Sequence, residues 1–318
     1  MESKNGITAG PSMCYPDTES ESSPTGILIP GIGIPYADAV RSMKNESRFQ
    51  QYCQIAGFDA GYLDDPILQS GIIDTLDTHK LSYVVNCVMC DLYKKKRIRM
   101  DYVVGYSMGI YAALYCGGYY AFETGLRILE KAFELISAYC ESTPYVYGMG
   151  LILGLTESEI RELLFSGVGE GIDIAVYNGK RGFVIAGIRE KVHFCLQKAQ
   201  ASGALGVKAI HTHHPYHSPL LNEIFLPFSG YLSALSFADP SHKVLSPMDG
   251  DAVTAENAAD VIAKALCTPL HFEKVIHVLA NDHHVLHCYE TSPIKSMRNL
   301  VRYINRHIRI HCLHEETV

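Results

Sequence analysis

Short apolar runs that stop at glycine alternate with longer stretches of helical spacing along most of the chain. Gly26-Ile27-Leu28-Ile29-Pro30 is such a run, broken at Gly31 and Gly33, and it predicts a buried strand that opens into a loop. Residues 73–93 carry apolar side chains at helical spacing, Asp101-Tyr102-Val103-Val104-Gly105-Tyr106 reads as a second buried strand, and helical spacing resumes over 108–116. Val285-Leu286-His287-Cys288-Tyr289 predicts a later strand, followed by Glu290-Thr291-Ser292-Pro293 and a helix rich in Arg and Lys. Strands alternating with helices predict an α/β fold with a largely parallel sheet.

Between about 146 and 212 the rhythm changes. The order there is strand (Met149 to Leu155), helix opened by Thr156-Glu157-Ser158-Glu159, strand (Ile172 to Tyr177), strand (Phe183 to Ile188), helix (190–202) and strand (Val207 to Thr212). That is βαββαβ, the ferredoxin-like unit, and Thr156 with Glu159 three positions on forms a capping-box signature for its first helix. The expected organisation is a tail over 1–25, a large α/β subdomain over 26–145 and 213–318, and a small ferredoxin-like subdomain over 146–212 inserted in it. The groove between the two is the default site.

Composition narrows the partners. The chain has 318 residues, 47% of them apolar, with a formal charge of −7, which gives no electrostatic reason to expect nucleic acid. Its densest basic run, Lys94-Lys95-Lys96-Arg97, is short enough to be a solvated helix end. Ten cysteines are scattered, and the closest pair, Cys87 and Cys90, falls inside an apolar helical pattern, so reduced thiols of a cytoplasmic protein are expected. The first 25 residues carry Ser, Glu, Pro and Gly without an apolar core, and no run approaches the roughly 18 apolar residues a membrane span needs. No membrane partner is expected.

The chemistry centres on Gly105-Tyr106-Ser107-Met108-Gly109. At a strand-to-helix turn, the glycines permit a strained bend that lifts the serine hydroxyl off the sheet, and the helix N-terminus offers N–H groups to an oxyanion. The alternative is a close-packed turn in which Ser107 only caps the helix. A base is needed, and His211, His213, His214 and His217 form the densest histidine group. A metal site there is disfavoured because the faces of a strand diverge and no acidic partner follows closely, and the same holds for His283, His284 and His287. His217 lies just past a predicted strand, before Ser218-Pro219, where a loop can turn it into the groove. It follows the serine by 110 residues with the inserted unit between them, an order unlike that of a lipase or esterase.

Over residues 26 to 308 the chain resembles the malonyl-CoA:acyl-carrier-protein transacylases and the acyltransferase domains of polyketide synthases. Ile29-Pro30-Gly31-Ile32-Gly33 is similar to the family's F-P-G-Q-G, the serine pentapeptide to G-H-S-L-G, and Tyr216-His217-Ser218-Pro219-Leu220 to F-H-S-P-L. Gly148-Met149-Gly150, Leu153-Gly154-Leu155, Tyr177-Asn178-Gly179 with Val184-Ile185-Ala186-Gly187, Ser246-Pro247-Met248-Asp249-Gly250, Thr268-Pro269-Leu270-His271-Phe272-Glu273 and Glu290-Thr291-Ser292-Pro293-Ile294-Lys295 match further landmarks in order. The resemblance implies an α/β-hydrolase-like large subdomain, Ser107 as nucleophile and His217 as base, with the backbone N–H groups of Ile32 and Met108 as the oxyanion hole. It further implies a carbonyl near Ser292 that orients His217, substrate-binding positions at Ala132, Asn178, His79 and Tyr106, and no metal or bound cofactor. Its substrates carry phosphopantetheine, as CoA or as an acyl carrier protein.

Departures from the family point to its cargo. Ala132 stands where the family has an arginine that pairs with the free carboxylate of malonyl groups, and Lys131 and Arg127 lie on other faces of the helix. Ile32 replaces Gln, Tyr106 replaces His, Ile110 replaces Glu, and His79 stands where Gln is usual. His214-Pro215-Tyr216-His217, at the extender-sorting tetrapeptide, matches neither usual version. The expectation is a serine acyltransferase for a non-malonyl acyl group. An acyl-carrier hydrolase with the same Ser/His pair and a non-catalytic carrier-docking module are the alternatives.

Overall fold

The computed structural model describes residues 23–70, 73–167, 170–292 and 294–312. The expected tail therefore lies almost wholly outside the described residues, as does Pro293, and Thr25 belongs to the first strand instead. In chain order the first elements are β1 (Thr25–Ile29), α1 (Ala37–Met43), α2 (Ser47–Ile55), α3 (Ala60–Leu63), α4 (Pro66–Ser70), α5 (Leu76–Lys95), β2 (Tyr102–Gly105), α6 (Gly109–Gly117) and α7 (Phe122–Ser142). Then come β3 (Tyr147–Leu153), α8 (Glu157–Gly167), β4 (Ile172–Gly179), β5 (Gly182–Ile188), α9 (Arg189–Ala201) and β6 (Gly206–Ile210). The last are α10 (Asn222–Ser233), β7 (Lys243–Leu245), α11 (Ala258–Cys267), α12 (Phe272–His277), β8 (His287–Glu290), α13 (Ser296–Ile304) and β9 (Arg309–Cys312).

Strand β1 is central because Ile27, Leu28 and Ile29 are buried on both of its faces, and a strand with no polar face must be covered by helices on each side. It lies between β2 and β8 in an all-parallel sheet of order β7-β2-β1-β8-β9. Helix α5 covers it with a face of Leu81, Val84, Val85 and Val88, and starts where Thr75 and Thr78 cap each other's backbone N–H groups. Helix α6 is buried almost all round and ends at Gly118, whose φ of 89° only glycine adopts freely.

The second sheet is antiparallel, of order β4-β5-β3-β6, with α8 and α9 in the chain order expected of a ferredoxin-like unit. The predicted capping box forms, with Thr156 N–H on Glu159 Oε2 at 2.7 Å and Glu159 N–H returned to Thr156 Oγ1 at 3.4 Å. Strand β3 stops at Leu153, two residues before its expected end, because Gly154 turns away at φ 99°. Strand β4 is bridged to the segment after α11: Tyr177 N–H donates to Leu270 O (2.8 Å), and Leu270 N–H to Ala175 O (2.9 Å). Helices α1 to α4, α7 and α10 to α12 and strands β7 and β9 have no counterpart in the periodicity reading; strands of three and four residues are too short for alternation to register.

Helix α6 presses against β1. A Cβ placed on Gly109 would lie 2.4 Å from Ile29 O, and one on Gly105 would lie 2.5 Å from Ile110 N. Both collisions are with backbone, which cannot rotate aside. Gly109→Ala is expected to cost about 1–3 kcal/mol and to lower the melting temperature measurably in a thermal scan. Gly206→Ala, whose added carbon has nothing nearer than 3.9 Å, is the control and should melt close to the parent.

Candidate active site

Ser107 follows the last residues of β2 in the left-handed region, at φ 54°. A serine there costs roughly 1–2 kcal/mol against glycine, and the turn is held by a ladder of bonds. Tyr106 N–H donates to Ile29 O (2.8 Å), Gly109 N–H to Tyr106 O (2.9 Å) and Ile110 N–H to Ser107 O (3.1 Å). The glycines on either side let β2 and α6 meet without a side chain between them, so the hydroxyl stands clear of the sheet. The capping alternative fails here because Ser107 Oγ is engaged elsewhere.

Its partner is His217: Oγ lies 2.7 Å from Nε2. Nδ1 of the same ring is 2.6 Å from Ala265 O, and the His217 N–H donates to Leu266 O at 2.8 Å. A carbonyl only accepts, so Nδ1 carries the proton and Nε2 presents its lone pair to the serine hydroxyl, the tautomer a general base needs. Burial pushes the imidazole down from 6.5 to about 4, opposed by the bond to Ala265. At neutral pH the base is free.

The carbonyl that holds His217 Nδ1 belongs to Ala265, not to the Ser292 segment to which the resemblance pointed. Ser292 Oγ is taken up by Ile294 N–H and the Ser296 hydroxyl. Ala265 holds the ring because of how α11 ends. The N–H that would bond its carbonyl belongs to position 269, which is proline and has none. Leu266 O is released likewise, since Leu270 N–H goes to Ala175 O. Two carbonyls of one helix end are left to hold His217. The Thr268-Pro269 pair was the available signal, since a proline cannot return an N–H to the helix before it, and a carbonyl has no letter of its own.

Ile32 and Met108 flank the serine, and among the described residues neither backbone N–H donates to a protein acceptor. Gly31 lets the Ile32 loop lie against the nucleophile: a Cβ there would be 3.1 Å from Ser107 Cβ. Beside the dyad is a cavity of about 120 Å³ between the two sheets. Ile32, Tyr106 and Tyr216 line one side and Met149, Val176, Val184 and Ile210 the other, with Thr212 and His211 at the wall. No lining residue is Lys or Arg.

Of the expected substrate-binding positions only Tyr106 lines this cavity, its ring set edge-on against Phe272 at 4.9 Å. Ala132 is fully buried on α7, while Lys131 pairs with Glu134 and Arg127 with Thr124. Asn178 is buried on β4 with Oδ1 unpartnered, outside the cavity lining. His79 is buried and bonded to Asp74 (2.6 Å), a residue the sequence reading passed over. The histidine cluster disperses: His211 is at the wall, His213 meets Arg189 (2.6 Å), His214 meets Asp74 (2.8 Å) and His217 meets Ser107. Among the described residues no group of three or more His, Cys, Asp or Glu is placed to hold a metal, and no helix is long and apolar enough to cross a membrane.

No family model matches the chain. A malonyl CoA-acyl carrier protein transacylase of Staphylococcus aureus is 25% identical over 298 residues, covering 91% of this chain and 94% of that one. Its relatives are the malonyl CoA-acyl carrier protein transacylases. The polyketide biosynthesis protein ThaF of Burkholderia thailandensis is also 25% identical, over 80% of this chain, which spans only 22% of that longer protein. Among solved structures, a malonyl-transacylase in complex with its type II polyketide synthase acyl-carrier protein superposes with a TM-score of 0.82 at 20% identity, covering 92% of this chain and 96% of that one. The transacylase fold thus accounts for both sheets, the parallel one and the antiparallel one.

The dyad makes a prediction about pH. Labelling of Ser107 by a fluorophosphonate should be flat from pH 8 to about 5 and fall as His217 takes a proton near 4. Because the folded-state pKa lies below the ordinary 6.5, folding stability should itself decline as pH falls from 6.5 towards 4, so folding is checked at each point. Ser107→Ala should not label, and His217→Ala should label roughly 100- to 10,000-fold more slowly.

Proposed function

We propose that the chain is a serine acyltransferase that moves an uncharged acyl group between phosphopantetheine thioesters, CoA or carrier protein, through an acyl-Ser107 intermediate. The observation that carries the reading is the 2.7 Å contact between Ser107 Oγ and His217 Nε2, with the other ring nitrogen fixed by Ala265 O. Acyl transfer is the activity named for the Staphylococcus aureus relative and for the superposed transacylase, and a carrier protein is the partner the latter was solved with.

Each step follows from these groups. As Oγ attacks the thioester carbonyl, its proton passes to Nε2, and the C=O becomes an oxyanion facing the N–H groups of Ile32 and Met108. The tetrahedral centre collapses, the C–S bond breaks, and His217 returns the proton to the leaving thiolate. The second half runs in reverse: His217 takes the proton of an incoming pantetheine thiol, sulfur attacks the acyl-serine, and Oγ leaves with the proton. The removal of an acid from the dyad is no obstacle, since the helix-end carbonyls of α11 face the imidazolium as it forms.

The cargo is inferred from the lining. An acyl carboxylate in this cavity would meet no Lys or Arg, and the position of the family's arginine is held by the buried Ala132. Leaving a charge unpaired away from water costs several kcal/mol. The volume of about 120 Å³ suits a short chain.

Intact-mass analysis after incubation with acetyl-, propionyl-, butyryl- and malonyl-CoA tests the reading. The expected result is a stable adduct from the neutral donors, absent in Ser107→Ala, which chases onto a holo carrier protein. Prompt release as free acid would make the chain a hydrolase, and no adduct from any donor would leave only a docking module.

A further inference from the structure

Behind the wall of the Ser107 cavity lies a buried carboxylate. Asp74, in the turn before α5, receives a hydrogen bond from four side chains. His79 Nε2 (2.6 Å) and the Tyr216 hydroxyl (3.1 Å) meet Oδ1, while His214 Nδ1 (2.8 Å) and the Thr212 hydroxyl meet Oδ2. Four donors, two to each oxygen, use the acceptor capacity of an ionised carboxylate; an acid that kept its own proton could not accept them all. Burial works against the charge, yet the bonds from His214 and His79, together with the electrostatic attraction of the two imidazoles, outweigh it and hold Asp74 well below the ordinary carboxylate range. The Phe133 ring of α7 stands edge-on to both imidazoles at 5.1 and 5.2 Å and seals the cluster from that side.

Two of the four donors, Thr212 and Tyr216, line the cavity, and Tyr216 adjoins His217. The single proton of each hydroxyl is spent on Asp74, and the Nδ1 atom of His79 is buried without a partner. A substrate carboxylate entering the cavity would find the wall's donors committed to a carboxylate already present. It would also face that charge across one layer of side chains in a site of low dielectric.

Resting on the acyl-transfer reading above, we infer that Asp74 is the specificity-determining residue of the site: its fixed negative charge, one hydrogen bond behind the cavity wall, shuts out acyl groups that bear a free carboxylate. The device is distinct from the want of a cation. A site that only lacked one would accept an anion weakly, whereas this site repels it, and removing the charge should open it.

The test uses the full chain and two donors of nearly equal shape, malonyl-CoA and its carboxamide isostere malonamoyl-CoA, with the rate of acyl-Ser107 formation read by intact mass. The wild type should favour the amide by about 100-fold, the size of a like-charge penalty. In Asp74→Asn the ratio should narrow at least about tenfold because the malonyl rate rises, a change that mere loosening of the structure would not make charge-selective. His214→Gln disturbs the same cluster but keeps the carboxylate, and should leave malonyl disfavoured. An unchanged ratio in a folded Asp74→Asn, or malonyl gained in His214→Gln, would overturn the proposal. Equal labelling of the wild type by both donors would overturn it even if Asp74→Asn did not fold. If neither these nor the neutral donors above acylate wild-type Ser107, the acyl-transfer reading falls with it; acylation without charge selectivity removes Asp74 alone.

Discussion

The approach of α6 to β1 sets the terms for the rest of the molecule. With only hydrogen on the α-carbon of Gly109, the first turn of the helix sits directly against the carbonyls of Ile29 and Pro30. That contact forces the intervening residue into a left-handed conformation, lifts its side chain out of the sheet and brings the Ile32 loop alongside it. A methyl group in the seam would move the helix, and with it Ser107 and the Met108 N–H at its start. The strain at Ser107 is thus maintained by packing that extends through the parallel sheet.

Two helix ends converge on the dyad with opposite polarity. The start of α6 offers N–H groups beside Ser107, and the end of α11 offers carbonyls beside His217. Attack on a thioester separates charge in that same sense, negative on the former carbonyl oxygen and positive on the imidazole. Backbone dipoles are in place before the charges arise, so little reorganisation is needed when they do. The antiparallel sheet reaches this pair only through Ala175, whose carbonyl takes the Leu270 N–H, and it contributes more to the cavity wall, through Met149, Val176, Val184 and Ile210.

Much of this was legible in the letters. Gly105, Ser107 and Gly109 between a Val-Val strand and a small-residue helix are a local pattern, and the βαββαβ order was readable because each of its elements is long enough to show a period. His217 emerged from its motif. What stayed hidden depended on distance or on the main chain. Asp74 meets Thr212, His214 and Tyr216 across 138 to 142 positions, and nothing local marks it. Ala132 and His79 were placed by resemblance at a substrate site; in the structure one is buried on α7 and the other is bonded to Asp74, outside the cavity lining. Ala265 acts through an atom that every residue possesses.

That last point has a wider bearing. A third catalytic member supplied by a side-chain carboxylate can be lost to a single substitution and is neutralised in acid. The oxygen of Ala265 is exposed to neither hazard: it does not titrate, and any residue that keeps α11 helical presents it in the same place. The vulnerability moves to Pro269, whose contribution is a proton it does not have. Any other amino acid there would bring an amide N–H that competes with His217 for the same oxygen.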